Sequence, residues 1–439
     1  MKLLKSLLRG ALLFLLLGAF LVAWVMLPWP FLLGLAVLLA LWMAFTRGGR
    51  QAASVTQVGV STLAQRLGAS SVVVIGIAGV VGVLVALLAM AEGYRQTISS
   101  SGDDETAIVL RGGSSAELMS VLSHEAVVAI ERAPEIARDA DGRPLASPEL
   151  LVAANLPRKG GSEDGSVTLR GVGPMAWSVR PDVRLVEGRR FEPGRRELVV
   201  GRGAQRQFAG LEPGKEVRLG SQTWTVVGVF ESGDSMESEM WADAEIVAST
   251  YRRGSSRASV VARLTSPKAF KAFKATLAAD PRLQVEASTT HEYFSSQSEG
   301  LTKILRVIGI VVGSIMAIGA VFGALNTMFA TVSSRAREIA TLRAIGFRGT
   351  PVVVAVMLET MLLAAIGGLL GGLLAWLIFN GYTASTLAGG VAQLSFEFKV
   401  TPGLLWEGLK WALAIGFIGG LFPALRAASL PVTDALRAA

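Results

Sequence analysis

Along this chain, apolar stretches of membrane-crossing length alternate with charged ones, and their spacing separates two kinds of structure. Residues 71–90 run for twenty positions without a charge, and 305–328, 351–379 and 404–421 are comparably apolar. Each can cross a hydrocarbon layer about 30 Å thick as a helix. Two further runs, 11–27 and 31–45, are separated only by Pro28-Trp29-Pro30. Lys2, Lys5 and Arg9 bound them on one side and Arg47 and Arg50 on the other. A basic start before an apolar centre also fits a secretory signal peptide, but the second run follows at once. The spacing therefore predicts a transmembrane hairpin over 1–46 with both ends inside. The connection 47–70 has three arginines and no acid, and Val55, Val58, Leu63 and Leu67 form a weak apolar stripe. It is read as a helix lying on the membrane surface, with a plain loop as the alternative.

Between residues 93 and 300 the composition becomes that of a soluble domain. Strands are expected at 106–110, 149–154, 259–264 and 283–287, and helices at 116–132 and 267–279. These strand–helix–strand pieces at both ends predict one α/β subdomain made from 93–165 and 245–300. The block between them, 166–244, carries short β-type runs such as ELVVG at Glu197, EVRLG at Glu216 and TWTVVGVFE at Thr223, separated by glycine and proline turns. It reads as a β-rich insert. The acidic stretch 231–243 lacks calcium-loop spacing and is taken as a solvated loop. The expected fold class is thus membrane α-helical, with six transmembrane helices and a large α+β extracytoplasmic domain between the third and fourth. The third span is 71–92, and the last three fall within 301–439.

Charge and composition narrow the function. The chain has 439 residues, no cysteine and two histidines, His124 and His291, so disulfides, thiolate metal sites and a histidine metal cage are excluded. Its net charge of +8 suggests a polyanion partner, but residues 93–300 hold 26 Lys and Arg against 28 Asp and Glu. The surplus lies on the membrane-associated part, where it is a topology signal and not a nucleic-acid site. No phosphate loop occurs: 210–215 is the nearest string, with the wrong spacing and a glutamate where the hydroxyl is needed. Without a nucleophile elbow or a triad, an enzyme is not expected.

The most distinctive stretch is 334–347, SRAREIATLRAIGF, between the spans at 305–328 and 351–379. Its basic bias, with Arg348 just beyond, assigns it to the cytoplasmic side. On a helical count Arg335, Ile339, Leu342 and Gly346 share one stripe, and Arg337, Thr341 and Ala344 lie opposite. Such a helix is too polar for a core and too short to stand alone. Another surface must dock on it.

The wording R-x-R-E-I-A-T-L-R-A-I-G resembles the coupling helix of FtsX-like, MacB-type ABC transporter permeases. The resemblance extends to the tail GLFPALRAASLPVTDALRAA and back to the span at 71–90. It implies that Arg335, Arg337, Glu338, Ile339, Leu342, Arg343, Gly346 and Phe347 serve as the ATPase-coupling helix. ATP and magnesium would be bound by two copies of a separate ATPase subunit, with no cofactor or metal in this chain. The family pattern has a four-span core, so the N-terminal hairpin is an addition. The resemblance further implies a homodimer in the bacterial inner membrane, embedded in lipid, with a periplasmic adaptor and an outer-membrane duct. The implied activity is export by mechanotransmission. Lipoprotein or lipid extraction from the outer leaflet, or activation of a periplasmic hydrolase as a signalling scaffold, are the alternatives.

Two further features concern the spans. Gly76, Gly79, Gly82, Gly309, Gly313, Gly319 and Gly323 have the spacing of close helix contacts. Glu359, about two turns into the span at 351–379, is an intramembrane carboxylate. It either has a transport role or reaches the headgroup level or an arginine near the coupling helix.

Overall fold

The structure, a computed structural model, describes residues 22–63, 67–159, 164–385 and 395–429, together with positions 16 and 19. It divides into two units: residues 1–91, 304–382 and 398–439 form one, and 92–303 with 383–397 the other.

The first unit is helical. Its elements are α1 (Trp29–Phe45), α2 (Arg47–Ser61), α3 (Leu67–Ser99), α4 (Thr290–Ser334), α5 (Ala336–Ala344), α6 (Gly349–Phe379) and α7 (Pro402–Ser429). Helices α3 and α4 continue without a break into residues of the second unit. Among the described residues four helices, α3, α4, α6 and α7, are long and apolar enough to cross a membrane. Of the two additional runs, 31–45 falls within the 17-residue α1, and 11–27 lies mostly outside the described residues. Helix α1 begins after Pro28, which cannot continue a preceding helix, and turns into α2 through 101°. Thr46 makes that bend: its backbone is extended, and its hydroxyl oxygen accepts from the Gly49 N–H at 2.9 Å as an N-cap.

The connection at 47–61 is thus a helix, but its inward face differs from the expected stripe. Gly49, Ala52, Val55 and Gly59 are buried, while Val58 is exposed. Small residues let α2 lie close against α6, which a larger apolar stripe would hold off.

The bundle core joins Ile77, Val81 and Leu84 of α3 to Val321 of α4, Leu363 of α6, and Trp411 and Ile415 of α7. The glycines sort differently from the spacing argument. Gly82, Gly309 and Gly313 meet neighbours, a Cβ on Gly313 coming within 2.6 Å of Leu84. A Cβ on Gly76, Gly79, Gly319 or Gly323 would meet nothing within 4 Å among the described residues. A Cβ would clash equally at Gly367 (2.8 Å from the Val74 carbonyl), Gly416 (2.5 Å from Ala364) and Gly419 (2.7 Å from Ala324), none of which the spacing singled out. Spacing puts two glycines on one face of a helix but does not say which way that face points.

The second unit is built on one mixed sheet of β1 (Thr106–Arg111), β2 (Ala146–Pro157), β3 (Asp164–Val172), β4 (Arg184–Gly188), β5 (Glu197–Gly201), β6 (Glu216–Leu219), β7 (Gln222–Glu231), β8 (Glu239–Asp243), β9 (Ser259–Arg263) and β10 (Val285–Thr289). The order is β10-β1-β9-β2-β3-β8-β5-β7-β4, with β6 on β7. Strands from the two distant segments pair directly, β1 lying antiparallel to both β9 and β10. The long β2 joins this part to the block between. Its residues 146–149 pair with β9, and 150–157 pair with β3. Two cores follow, one around Val109, Ile130 and Phe273 and one around Phe208, Trp224 and Leu169.

The helix expected over 116–132 is broken. A single 3-10 turn, Glu117–Met119, precedes extended backbone at Ser120, and the helix proper is His124–Glu131. Leu122 exchanges backbone hydrogen bonds with Arg257, and the Ser123 side chain caps the helix. A short hairpin, β11 (Thr383–Ser385) with β12 (Ser395–Glu397), also belongs to the second unit, where the Ser395 N–H donates to the Ser238 hydroxyl at 2.9 Å.

Candidate functional site

The short helix α5 is bounded by two backbone breaks. Helix α4 ends where Arg335 leaves helical geometry, at φ −99° and ψ 8°. At the other end Gly346 takes φ +105°, which favours glycine. Its N–H reaches the Arg343 carbonyl at 3.2 Å and the Phe347 N–H reaches the Leu342 carbonyl at 3.1 Å. These two bonds form a Schellman C-terminus, and Pro351 lies just beyond.

One face of α5 is seated. Ile339 packs with Met328 and Val332 of α4, Val352 and Val356 of α6, and Ala424 and Ala427 of α7. Arg335 is also on the inward side: its Nη1 donates to Glu359 Oε2 at 2.9 Å and its Nε to Glu338 Oε2 at 3.1 Å. Only 8% of Arg335 and 4% of Glu359 is exposed. The Glu359 carboxylate of α6 is thus the partner of the arginine that opens α5. Burying two charges has a large desolvation cost, so removing either partner is far more destabilising than losing a surface pair.

The opposite face is open. Arg337, Glu338, Thr341, Ala344 and Gly346 are exposed, and Ile345 is 69% exposed. Leu342, Arg343 and Phe347 lie at the edge, half-buried. The eight residues singled out in the sequence therefore divide. Arg335 and Ile339 anchor the helix, and Arg337, Glu338 and Gly346 with the unforeseen Ile345 face outward. Beside the anchor is an apolar cavity of about 360 Å³ lined by Val55, Val58, Ile339, Leu342, Val356 and Glu359.

The second unit carries a separate buried charge cluster that sequence reasoning missed. Arg170 of β3 meets Glu149 at 2.8 Å, Glu239 at 2.6 Å and Glu117 at 3.0 Å. Arg180 adds a 2.5 Å contact to Glu149, and Ser259 donates to Glu117 at 2.7 Å. Burial alone would push the Glu149 carboxyl up, but the guanidinium groups of Arg180 and Arg170 outweigh it and hold it below the usual range. The three carboxylates likewise hold Arg170 well above its ordinary value, against the cost of burial. A cavity of about 200 Å³ adjoins the cluster, with Ser101, Asp103 and Asp234 on its wall.

The acidic stretch at 231–243 is consequently no solvated loop. Glu239 pairs with Arg170, and Asp243 caps the helix Ala244–Thr250. Asp234 caps the turn Ser235–Ser238, and burial pushes its carboxyl up to about 6. Among the described residues no group of three or more metal-ligating side chains converges.

Residues 70–280 match the family described as the MacB-like periplasmic core domain, and residues 310–432 match the FtsX-like permease C-terminal. The chain is 27% identical over 395 residues to the macrolide export ATP-binding/permease protein MacB of Bordetella avium, covering 83% of this chain and 56% of that protein. It is 28% identical over 141 residues to the uncharacterized ABC transporter permease YknZ of Bacillus subtilis, covering 31% of this chain and 34% of that protein. The crystal structure of the periplasmic region of MacB from Actinobacillus actinomycetemcomitans aligns with 44% of this chain and 93% of that one, at 16% identity and a TM-score of 0.34. The chain spans about half the length of the curated MacB relatives that it matches over most of its own. A MacB-like core domain followed by an FtsX-like permease domain places this chain in the FtsX-like, MacB-type family of ABC transporter permeases.

Proposed function

We propose that this chain is the permease subunit of a MacB-type exporter, and that it couples ATP hydrolysis by a separate ATPase subunit to movement of its periplasmic domain. The observation that carries the reading is the two-sided geometry of α5: Ile339 and Arg335 are seated among α4, α6 and α7, while Arg337, Thr341, Ala344 and Ile345 are presented outward. A nine-residue helix of this polarity has no fold of its own. Its exposed face suits a groove on a partner, and its anchored face suits transfer of that partner's motion into the bundle.

The unbroken course of α3 and α4 from apolar segment into domain residues supports mechanotransmission. Apart from Glu359, which pairs with Arg335, and Glu407 and Lys410 in the first turns of α7, the spans offer few polar side chains to line a hydrophilic path. Two ATPase copies, a second copy of this chain, a periplasmic adaptor and an outer-membrane duct complete the proposed assembly in the bacterial inner membrane. ATP and magnesium would sit on the ATPase.

Co-expression with the ATPase tests this reading. Arg337→Glu combined with Ala344→Trp is expected to abolish copurification, while the tryptophan fluorescence of the full chain in detergent keeps its parent unfolding midpoint. Parent-like copurification of that variant would remove α5 as the docking element.

A further inference from the structure

The Arg335–Glu359 pair is roofed by an element outside the coupling helix and its span. Gly59 of α2 lies directly over it: a Cβ there would come within 3.1 Å of Glu359 Oε2 and 3.6 Å of Arg335 Nη1. Any larger side chain must push the ion pair aside. Ala52 and Val55 are buried on the same helix, which packs along α6.

Glu359 lines two cavities, one shared with α2 and α5 and another of about 10 Å³ formed with Ser70 and Val73 of α3 and Thr327 and Thr331 of α4. The pair therefore stands where five helices meet. Its strength depends on how dry that junction is. Two charges in contact attract several times more strongly in a buried setting than in water.

We propose that α2 is a clamp on the coupling helix. By seating Gly59 on the Arg335–Glu359 pair it excludes water from the pair and locks α5 to α6, so that a push on α5 moves α6 instead of rocking α5 in its seat. Gly59 is thus a positioning residue acting through the ion pair, and the N-terminal segment is part of the transmission. The role in transmission rests on the reading of α5 as the ATPase dock; the seating of α5 does not.

Three readouts on the full chain separate these layers. In Gly59→Leu without ATPase, hydrogen exchange of the α5 amides is expected to accelerate at least tenfold, with Gly59→Ala showing a smaller increase. With ATPase, Gly59→Leu is expected to keep copurification and hydrolysis while ATP-driven displacement of spin labels in the periplasmic domain falls at least tenfold. Parent-like α5 exchange together with parent-like displacement overturns the clamp. If the parent chain itself fails to bind the ATPase, the docking reading fails, while accelerated exchange still establishes the seating.

Because the chain has no cysteine, a third test avoids perturbing the junction. A flexible bis-maleimide between Val58→Cys and Val356→Cys, both on the wall of the larger cavity, holds α2 to α6. ATP-driven displacement is expected to remain within twofold of the uncrosslinked double variant. Its loss would show that α2 must leave α6 during the cycle, and would overturn the clamp.

Discussion

Two buried arginines, Arg170 in the domain and Arg335 in the bundle, use the same chemistry to different ends. Arg170 faces three carboxylates at 3.0 Å or less, and they are carried by β2, β8 and the turn at Glu117. Two of those carriers are strands already held in backbone ladders, so the guanidinium has no direction in which to move. Arg335 has one buried partner, Glu359 at 2.9 Å, and sits at the first break of a short helix with an open outer face. A charge fastened from several sides by a sheet acts as a rivet; one paired at the break before a short helix is the joint between α5 and α6. Burial alone does not distinguish the two. The number of partners and the elements that carry them do.

The comparison can be broken by experiment, beginning with the largest effect. Arg170→Met takes the guanidinium from Glu117 and Glu239 and leaves Glu149 with Arg180 alone, and is expected to destabilise the domain by about 4 kcal/mol or more, read as a lowered urea midpoint of tryptophan fluorescence in the detergent-solubilised chain. An unchanged midpoint would mean that the cluster is no rivet. Glu359→Gln keeps shape and one hydrogen bond, and is expected to cost roughly 2–3 kcal/mol at the junction. Its signature is loss of ATP-driven domain movement with the domain's urea midpoint unchanged, and a lowered domain midpoint would contradict the joint.

Asp234 sharpens the picture through pH. Burial raises its carboxyl from 3.8 to about 6, against the hydrogen bonds from the Ser232 hydroxyl and the Met236 N–H. The folded state therefore holds the proton more tightly than the unfolded one. That contribution is fully present below about pH 4 and is lost as pH rises through about 6. Asp234→Asn is expected to remove this step and to raise stability at pH 7 by about 1–2 kcal/mol, checked by urea titrations between pH 4 and 7. A pH step surviving in the variant would assign it to another group. The smallest effect on stability belongs to Arg337→Glu, on the exposed face of α5. A shift under about 0.5 kcal/mol is expected, alongside weakened ATPase copurification.

Much of the architecture was legible in the residues because it rests on local regularity. The charge-free run at 71–90 and the alternation in TWTVVGVFE are periodic within one element, and α3 and β7 follow from them. The ends of α5 were less legible: Gly346, counted on the helical stripe, lies beyond the helix and closes it. The partners of the charges were legible only in part: an arginine near the short helix was one of the readings open for Glu359, and the partners of Arg170 were not foreseen. Glu359 is 24 positions from Arg335, and Glu239 is 69 positions from Arg170. A buried charge in a sequence announces that it needs a counter-ion without saying which one. The glycines show the same limit, since Gly313 packs against a neighbour and Gly319 does not, at similar spacing.

By itself the sequence marked the long apolar helices, the sheet-forming domain and the short helix between two of the apolar segments. Each of these follows from the period and length of apolar positions, which one segment carries alone. Only the tertiary structure decided that Arg335 faces inward to Glu359, that Gly59 covers the pair, and that β2 joins two cores into one sheet. These depend on which faces meet when distant segments pack, and short-range pattern holds no record of that.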